Sequence, residues 1–223
     1  MKNLAKIDLF KNLSTDELKE LSSYLTTVLI KKKEEIFSEG EQPEWFYIVM
    51  TGKIKITKLS QDGKEIILEI ISPQDIFGGV AVLGNFPYPA NAVAMEDSEL
   101  VKISRKNLMR VIDRFPNLMY CISLKLGDRM KSSYDSLKNI ALERVEARIA
   151  ALLLKLAHKV GKETPKGLQI DMRLTKQDVA DMVGTTVETS IRTFSKFKKQ
   201  GLLADADGRI IIKDQKGLSA LSS

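Results

Sequence analysis

LTKQDVADMVGTTVETSIRTFSKFKKQGLL, residues 174–203, reads as two short helices joined by a tight glycine turn. Thr175 caps the first, because its hydroxyl can accept a backbone N–H that the opening turn leaves unpaired. Val179, Met182 and Val183 then fall on one face before Gly184 breaks the helix. Thr185 or Thr186 caps the second helix, in which Val187, Ile191, Phe194 and Phe197 divide between core and surface and the far end carries Lys196, Lys198 and Lys199. Such a pair, its second helix polar at the start and basic later, suits a major-groove reader.

Working outward, residues 143–157 begin an amphipathic helix, GKETPKG marks a loop, and residues 168–172 form a short strand. Beyond the pair, strands at 202–204 and 209–212 are joined by Asp-Ala-Asp-Gly. Helix, strand, helix, turn, helix and hairpin make a winged helix. Charge follows the same division. Residues 1–137 carry 19 Lys+Arg against 19 Asp+Glu, and residues 138–223 carry 16 against 10, so the whole net charge of +6 lies in the C-terminal part. A basic module on a neutral partner suits a polyanion ligand, although solubility alone also produces this asymmetry.

The N-terminal part has a different texture. Residues 14–25, STDELKELSSYL, form a capped amphipathic helix with Glu17 three residues after Ser14. From 26 to 103, the runs VLIKKKEEIF, EWFYIVM, GKIKITKLS, KEIILEIIS and SELVKIS read as strands, with Gln61-Asp62-Gly63 as a hairpin turn. Closely spaced strands with tight turns indicate an antiparallel barrel or sandwich. After Pro116 the pattern is helical to about Val160, and Met119, Ile122, Leu126, Met130, Ser133, Leu137 and Ile140 recur every three or four residues. That spacing fits a dimer seam, or equally a single helix lying on its own barrel. With the junction placed at 138–140, where the helix could bend, the expected organisation is a sensor at 1–115, a dimerisation helix at 116–138 and a winged helix at 139–223.

Composition excludes several classes. A hydrophobic content of 43% over 223 residues is that of a folded globular chain. The apolar runs at 66–71 and 149–154 fall far short of the roughly 20 residues of a membrane span, so no membrane partner is expected. MKNLAKIDLF lacks an export signal, which implies the cytoplasm. Cys121 is the single cysteine, which excludes an intramolecular disulfide and an iron-sulfur cluster held by several cysteines, and it reads as a small buried hydrophobe. His158, the single histidine, reads as a helix-surface residue, which argues against a zinc site or histidine triad. No acid-base pair, nucleophile-histidine pair or phosphate loop supports a β-barrel enzyme, the competing class.

With these elements in order, QDVADMVGTTVETSIRTFSKFKKQGLL resembles the helix-turn-helix of the cyclic-AMP receptor protein and fumarate-nitrate regulator (CRP/FNR) family. The strand order, PQDIFGGVAVLG at 73–84 and ERVEARIAALLLKLA at 143–157 extend the similarity over nearly the whole chain. The resemblance implies an α+β chain: a cyclic-nucleotide-binding-like jelly roll, a long dimerisation helix and a C-terminal winged helix-turn-helix. It places the family's base-reading positions on Val187, Glu188 and Arg192. Glu188 can accept from the exocyclic amine of cytosine, Arg192 can donate two bonds to guanine, and Val187 can touch a thymine methyl. Valine, glutamate and threonine resemble the fumarate-nitrate branch, which implies TTGA-type half-sites; Ile191, where that branch usually has serine, leaves the outer bases open. Thr175, Gln177, Thr186, Thr189 and Lys196 suit phosphate contacts. The bland alternative is that Arg192 merely pairs with Glu188 four residues away.

In the family's nucleotide binders, a glutamate meets the ribose and an arginine neutralises the phosphate. The matching positions here are Gly79 and the pair Tyr88-Pro89, which argues against cyclic AMP. Phe77, Gly78, Gly79, Val80, Tyr88, Pro89, Ala90 and Asn91, with Val82, Leu83 and Phe86 nearby, form either an apolar effector pocket or plain core. The layout resembles the nitric-oxide-sensing branch, which carries haem; its axial ligand here would have to be Cys121, a methionine or an unusual donor. The expected protein is a homodimeric regulator that binds double-stranded DNA under allosteric control by a small effector, with RNA polymerase as a further partner. A constitutive regulator with a vestigial sensor is its rival.

Overall fold

β-Branched and aromatic side chains crowd the chain from Thr26 to Ser104, and the computed structural model resolves this stretch into eight strands. These are β1 (Thr26–Ile30), β2 (Glu35–Phe37), β3 (Trp45–Thr51), β4 (Ile54–Leu59), β5 (Glu65–Ile71), β6 (Ile76–Phe77), β7 (Asn91–Ala94) and β8 (Ser98–Ser104). The structure describes Leu4, residues 7–206 and residues 208–222. Half of MKNLAKIDLF (residues 1–3, 5 and 6) and Asp207 of the expected Asp-Ala-Asp-Gly turn therefore lie outside the described residues. The chain divides into two units, Met1–Arg129 and Met130–Ser223.

In the first unit the strands form two four-stranded sheets, β1-β8-β3-β6 and β2-β7-β4-β5, antiparallel at every pairing. Phe46, Ile48, Leu100 and Ile103 from one sheet share a buried core with Phe37, Ile54, Ile71, Ala92 and Ala94 from the other. This is the expected jelly roll. VLIKKKEEIF holds two strands rather than one, because the chain turns at Lys33 with φ 70°. At the β4–β5 hairpin Gly63 takes φ 76° and its N–H donates to the Ser60 carbonyl at 2.9 Å.

Helix α1 (Thr15–Ser22) opens with the expected capping box: Glu17 accepts from the Ser14 N–H at 2.7 Å, and Ser14 Oγ accepts from the Glu17 N–H at 3.3 Å. Two short helices, α2 (Gly79–Gly84) and α3 (Arg105–Arg114), escaped the sequence reading. Helix α4 (Pro116–Leu142) continues through 138–140, where a bend was expected; the break falls instead at Glu143 and Arg144, whose extended backbone caps the next helix.

The expected seam does not share one open face of α4. Ile122 is 1% exposed in the unit's own core and Leu126 packs against that core, whereas Met119, Met130, Ser133 and Leu137 are exposed. A helical repeat cannot say which stripe the barrel itself takes. Arg129 also turns inward: its Nε meets Glu69 Oε2 at 2.9 Å and its guanidinium donates to the Ile76 carbonyl. The large apolar side chains of α4 that are more than half exposed are Tyr120, Leu124, Met130, Tyr134, Leu137 and Leu142.

The second unit comprises α5 (Val145–Val160), β9 (Gly161–Thr164), β10 (Gly167–Arg173), α6 (Lys176–Val183), α7 (Val187–Lys199), β11 (Leu203–Ala206), β12 (Arg209–Ile212) and α8 (Gln215–Ala220). GKETPKG, read as a loop, contains β9, which joins the sheet β11-β12-β10-β9. Ile149 and Leu153 of α5, Ile170, Val179, Phe194, Phe197 and Ile210 are buried. The result is a winged helix with one extra terminal helix. His158 is exposed on α5.

Replacing Ser14 by alanine removes both halves of the capping box and should cost about 1 kcal/mol. The check is an earlier urea midpoint for the first unit, with the second unit's transition unmoved.

Candidate functional site

Local chemistry sets the helix pair in place. Thr175 Oγ1 accepts from the Asp178 N–H at 3.0 Å, while Asp178 Oδ2 accepts from the Thr175 N–H at 2.8 Å. Gly184 ends α6 in the left-handed region at φ 65°, a conformation that a side chain would strain. Thr186, rather than Thr185, caps α7 and accepts from the Thr189 N–H at 3.3 Å.

One side of α7 is then committed. Ser190, Thr193, Phe194 and Phe197 are buried, so Glu188, Ile191, Arg192, Ser195, Lys196 and Lys199 face outward. Val187 and Thr189 sit half-buried on the flanks. Glu188 and Arg192 therefore share the open face. Arg192 reaches Thr189 Oγ1 at 3.5 Å rather than Glu188. The Glu188 carboxyl is held below its usual range by its own backbone N–H and then by the Thr186 hydroxyl.

The other expected contact residues are exposed or nearly so, and each has a partner. Thr175 and Thr186 act as caps, Gln177 Nε2 donates to Asp181 at 2.7 Å, and Lys196 Nζ donates to both carboxylate oxygens of Glu146 at 2.8 and 2.6 Å. Sequence reasoning missed Lys176, whose ammonium lies 3.7 Å above the Phe194 ring and is pushed below the usual lysine range by burial. It also missed the buried Ser190 Oγ and Arg148 Nε, which have no hydrogen-bond partner. Only the lysine had a signal, its place beside the Thr175 cap.

The expected effector segment splits in two. Phe77, Gly79, Tyr88 and Ala90 are buried, whereas Val80 and Pro89 are exposed and Gly78 and Asn91 lie between. Tyr88 stacks on Phe37 with ring centres 3.7 Å apart, and Phe77 stacks on Tyr47 at 4.9 Å. The Tyr88 hydroxyl donates to the Trp45 carbonyl at 2.7 Å and accepts from the Trp45 N–H at 3.1 Å. Four rings thus fill the space between the sheets where a pocket was one expectation. A Cβ on Gly79 would lie 2.8 Å from the Phe46 ring, so no larger residue fits there without displacing it. Asn91 Oδ1 accepts from the Glu39 N–H at 2.7 Å. A separate cavity of about 170 Å³ is lined by Leu9, Leu13, Arg114, Phe115, Leu118 and the half-buried Cys121. Among the described residues, no group of three or more His, Cys, Asp or Glu is placed to hold a metal, and no helix is long and apolar enough to cross a membrane.

Burial raises both Tyr47 and Tyr88 above the ordinary phenol value. Their contribution to stability is complete below about pH 10, the unfolded value, and is lost as pH rises toward the folded values. An absorbance titration should show these two phenols ionising together with unfolding, and Tyr88→Phe should cost about 1 kcal/mol through the lost Trp45 bonds.

A family model described as "Cyclic nucleotide-binding domain" matches residues 27–115, and one described as "Crp-like helix-turn-helix domain" matches 147–221. The chain is 26% identical to a "CRP-like cAMP-activated global transcriptional regulator" of Mycobacterium tuberculosis, covering 97% of this chain and 96% of that one. It is also 26% identical to the "Anaerobic regulatory protein" of Bacillus subtilis, over 90% and 85% of the two chains. The solved structure of FixK2 from Bradyrhizobium japonicum superposes with a TM-score of 0.80 at 22% identity, over 89% of this chain and 98% of that one. The family's members regulate transcription and are not enzymes. A jelly roll of the cyclic-nucleotide-binding type followed by this winged helix makes the chain a member of the CRP/FNR family of DNA-binding transcription regulators.

Proposed function

We propose that the regulator acts as a homodimer on a palindromic DNA site with TTGA-type half-sites. The carrying observation is that Glu188 and Arg192 stand together on the open face of α7, unpaired with each other. In the groove Arg192 donates two bonds to guanine and Glu188 accepts from the cytosine amine, while Val187 meets a thymine methyl. Thr175, Gln177, Thr186, Thr189 and Lys196 contact phosphates. Lys196 first leaves Glu146, an exchange that costs little because both groups are about half exposed.

The exposed apolar side chains of α4 between Tyr120 and Leu137 support the dimer: large apolar side chains gain most by facing their counterparts on a second copy. The sensor occupies 1–115, the dimer helix is α4, which runs on past 138 to Leu142, and the DNA-binding module follows it. The protein acts in the cytoplasm beside RNA polymerase, and its effector is not a cyclic nucleotide. Gly79 and Tyr88-Pro89 offer no carboxylate for a ribose and no cation for a phosphate. A haem would take its axial donor from Cys121 or a methionine outside this segment, since residues 77–91 contain no histidine, cysteine or methionine and the Tyr88 hydroxyl is bound to Trp45. The effector is haem or a small apolar molecule, and Val80 and Phe86, exposed on and just after α2, are the apolar surface that would meet it. One observation favours a second reading: the four stacked rings already occupy the interior, as a constitutive regulator with a vestigial sensor requires.

Selection of duplexes from a randomised pool by the full chain tests the function. Enrichment of paired TTGA half-sites is the expected result, and half-sites of another type would overturn the base assignment. Affinity for the selected duplex should not change with added cyclic AMP. Arg192→Ala should cost roughly 1 to 3 kcal/mol at one base pair, whereas Lys196→Ala should weaken all sequences alike. Leu137→Glu should shift the protein toward monomer in sedimentation.

A further inference from the structure

We infer that the cavity at the head of α4 is a ligand site of its own, built for an α-amino acid with an apolar side chain. It shares no residue with the DNA-binding face of α7 or with the apolar surface at α2, so it stands or falls separately from the function proposed above. The cavity, about 170 Å³, opens between the single helical turn at Asp8–Phe10, the start of α1 and the junction of α3 with α4. Leu9, Phe115 and Leu118 form a buried floor with the half-buried Leu13, whereas Asn12, Arg114 and Asn117 at the mouth are exposed. A cavity of about 150 Å³ lined by aliphatic and aromatic side chains takes up one benzene molecule, so this floor has room for an isobutyl or phenyl group.

The mouth carries one charge of each sign. Ser14 donates its N–H and its hydroxyl to the same oxygen of Glu17, Oε2, at 2.7 and 2.8 Å, which leaves Oε1 for a further donor. Those two bonds, and last the Arg114 charge, hold the Glu17 carboxyl below its usual range, so it is anionic at neutral pH. Arg114 Nε meets Glu20 only at 3.6 Å, longer than a hydrogen bond, and its side chain is 65% exposed. Its guanidinium lies 5.7 Å from the centre of the Phe115 ring, over the floor, with donors in the forked arrangement that matches a carboxylate. A plain carboxylic acid would meet Arg114 but also the repulsion of Glu17, and a plain amine would meet the reverse. A zwitterion places its carboxylate at Arg114 and its ammonium at Glu17, and its side chain leaves water for the floor. Cys121, the chain's single cysteine, is half-buried in the same wall and reports on whatever fills it.

The test is equilibrium dialysis of the full chain against radiolabelled L-leucine, paired with alkylation of Cys121 by iodoacetamide. The chain should bind leucine saturably, and millimolar leucine should slow the alkylation. 4-Methylpentanoate, which lacks the ammonium, and 3-methylbutylamine, which lacks the carboxylate, should each bind roughly tenfold more weakly, the loss expected for one hydrogen bond to a charged group. Arg114→Gln and Glu17→Gln should weaken leucine to the same degree. Glutamine at residue 17 still completes the capping box and Arg114 is exposed, so both variants should hold the wild-type unfolding midpoint. Absence of leucine binding overturns the site. Equal binding of the three compounds overturns the amino-acid assignment, and leucine that binds both variants as it binds wild type, or leaves the rate at Cys121 unchanged, overturns the location. None of these outcomes bears on the duplex selection, which tests the DNA-binding reading by itself.

Discussion

Burial of Phe194 and Phe197 fixes the rotation of α7 about its own axis, and the functional surface depends on that setting. At about 100° per residue, committing one stripe of a helix to the core assigns every other side chain its direction. Glu188 and Arg192 face outward because the two phenylalanines face inward. The caps define where the helix starts, Thr186 at its head and Gly184 at the end of the helix before it. The α5 helix and the small sheet supply the core against which the rings pack. Nothing in the outward face has to hold itself in place.

This division explains which features were legible in the sequence. The helix pair could be read because its determinants are local: two threonine caps, a glycine that alone tolerates the left-handed turn, and apolar spacing on a short scale. The longer strands were legible for the same reason, as was the hairpin at Gln61-Asp62-Gly63, whereas the short β6, β7 and β9 were not read as strands. What escaped depends on distant partners. Phe77, Tyr88 and Ala90 are as apolar as a pocket wall would be, and only their packing against Phe37 and Tyr47 makes them core. In α4 the repeat was visible, yet the barrel's claim on Ile122 and Leu126 is a property of three dimensions. The break at Arg144 was placed a few residues early because no proline or glycine marks it. Helices α3 and α8 are short and lack a long periodic pattern.

Electrostatics adds a second layer, looser than the first. The excess positive charge lies in the second unit, but its lysines are not idle: Lys196 holds Glu146, Lys198 holds Asp205 and Lys162 holds Asp171. These pairs sit at the surface, where each contributes little to stability. They shape the field while leaving the cations exchangeable. The orphaned Ser190 hydroxyl is the opposite case, a buried group with nothing to exchange and a standing cost to the fold.

The anchor at Arg129 gives α4 a mechanical character. Glu69 and the Ile76 carbonyl hold the helix at Arg129, well before its end at Leu142. No proline or glycine interrupts it between residues 130 and 142. The Arg129 guanidinium thus ties α4 to β5 through Glu69 and to β6 through the Ile76 carbonyl, a polar tie beside the apolar packing of Ile122 and Leu126.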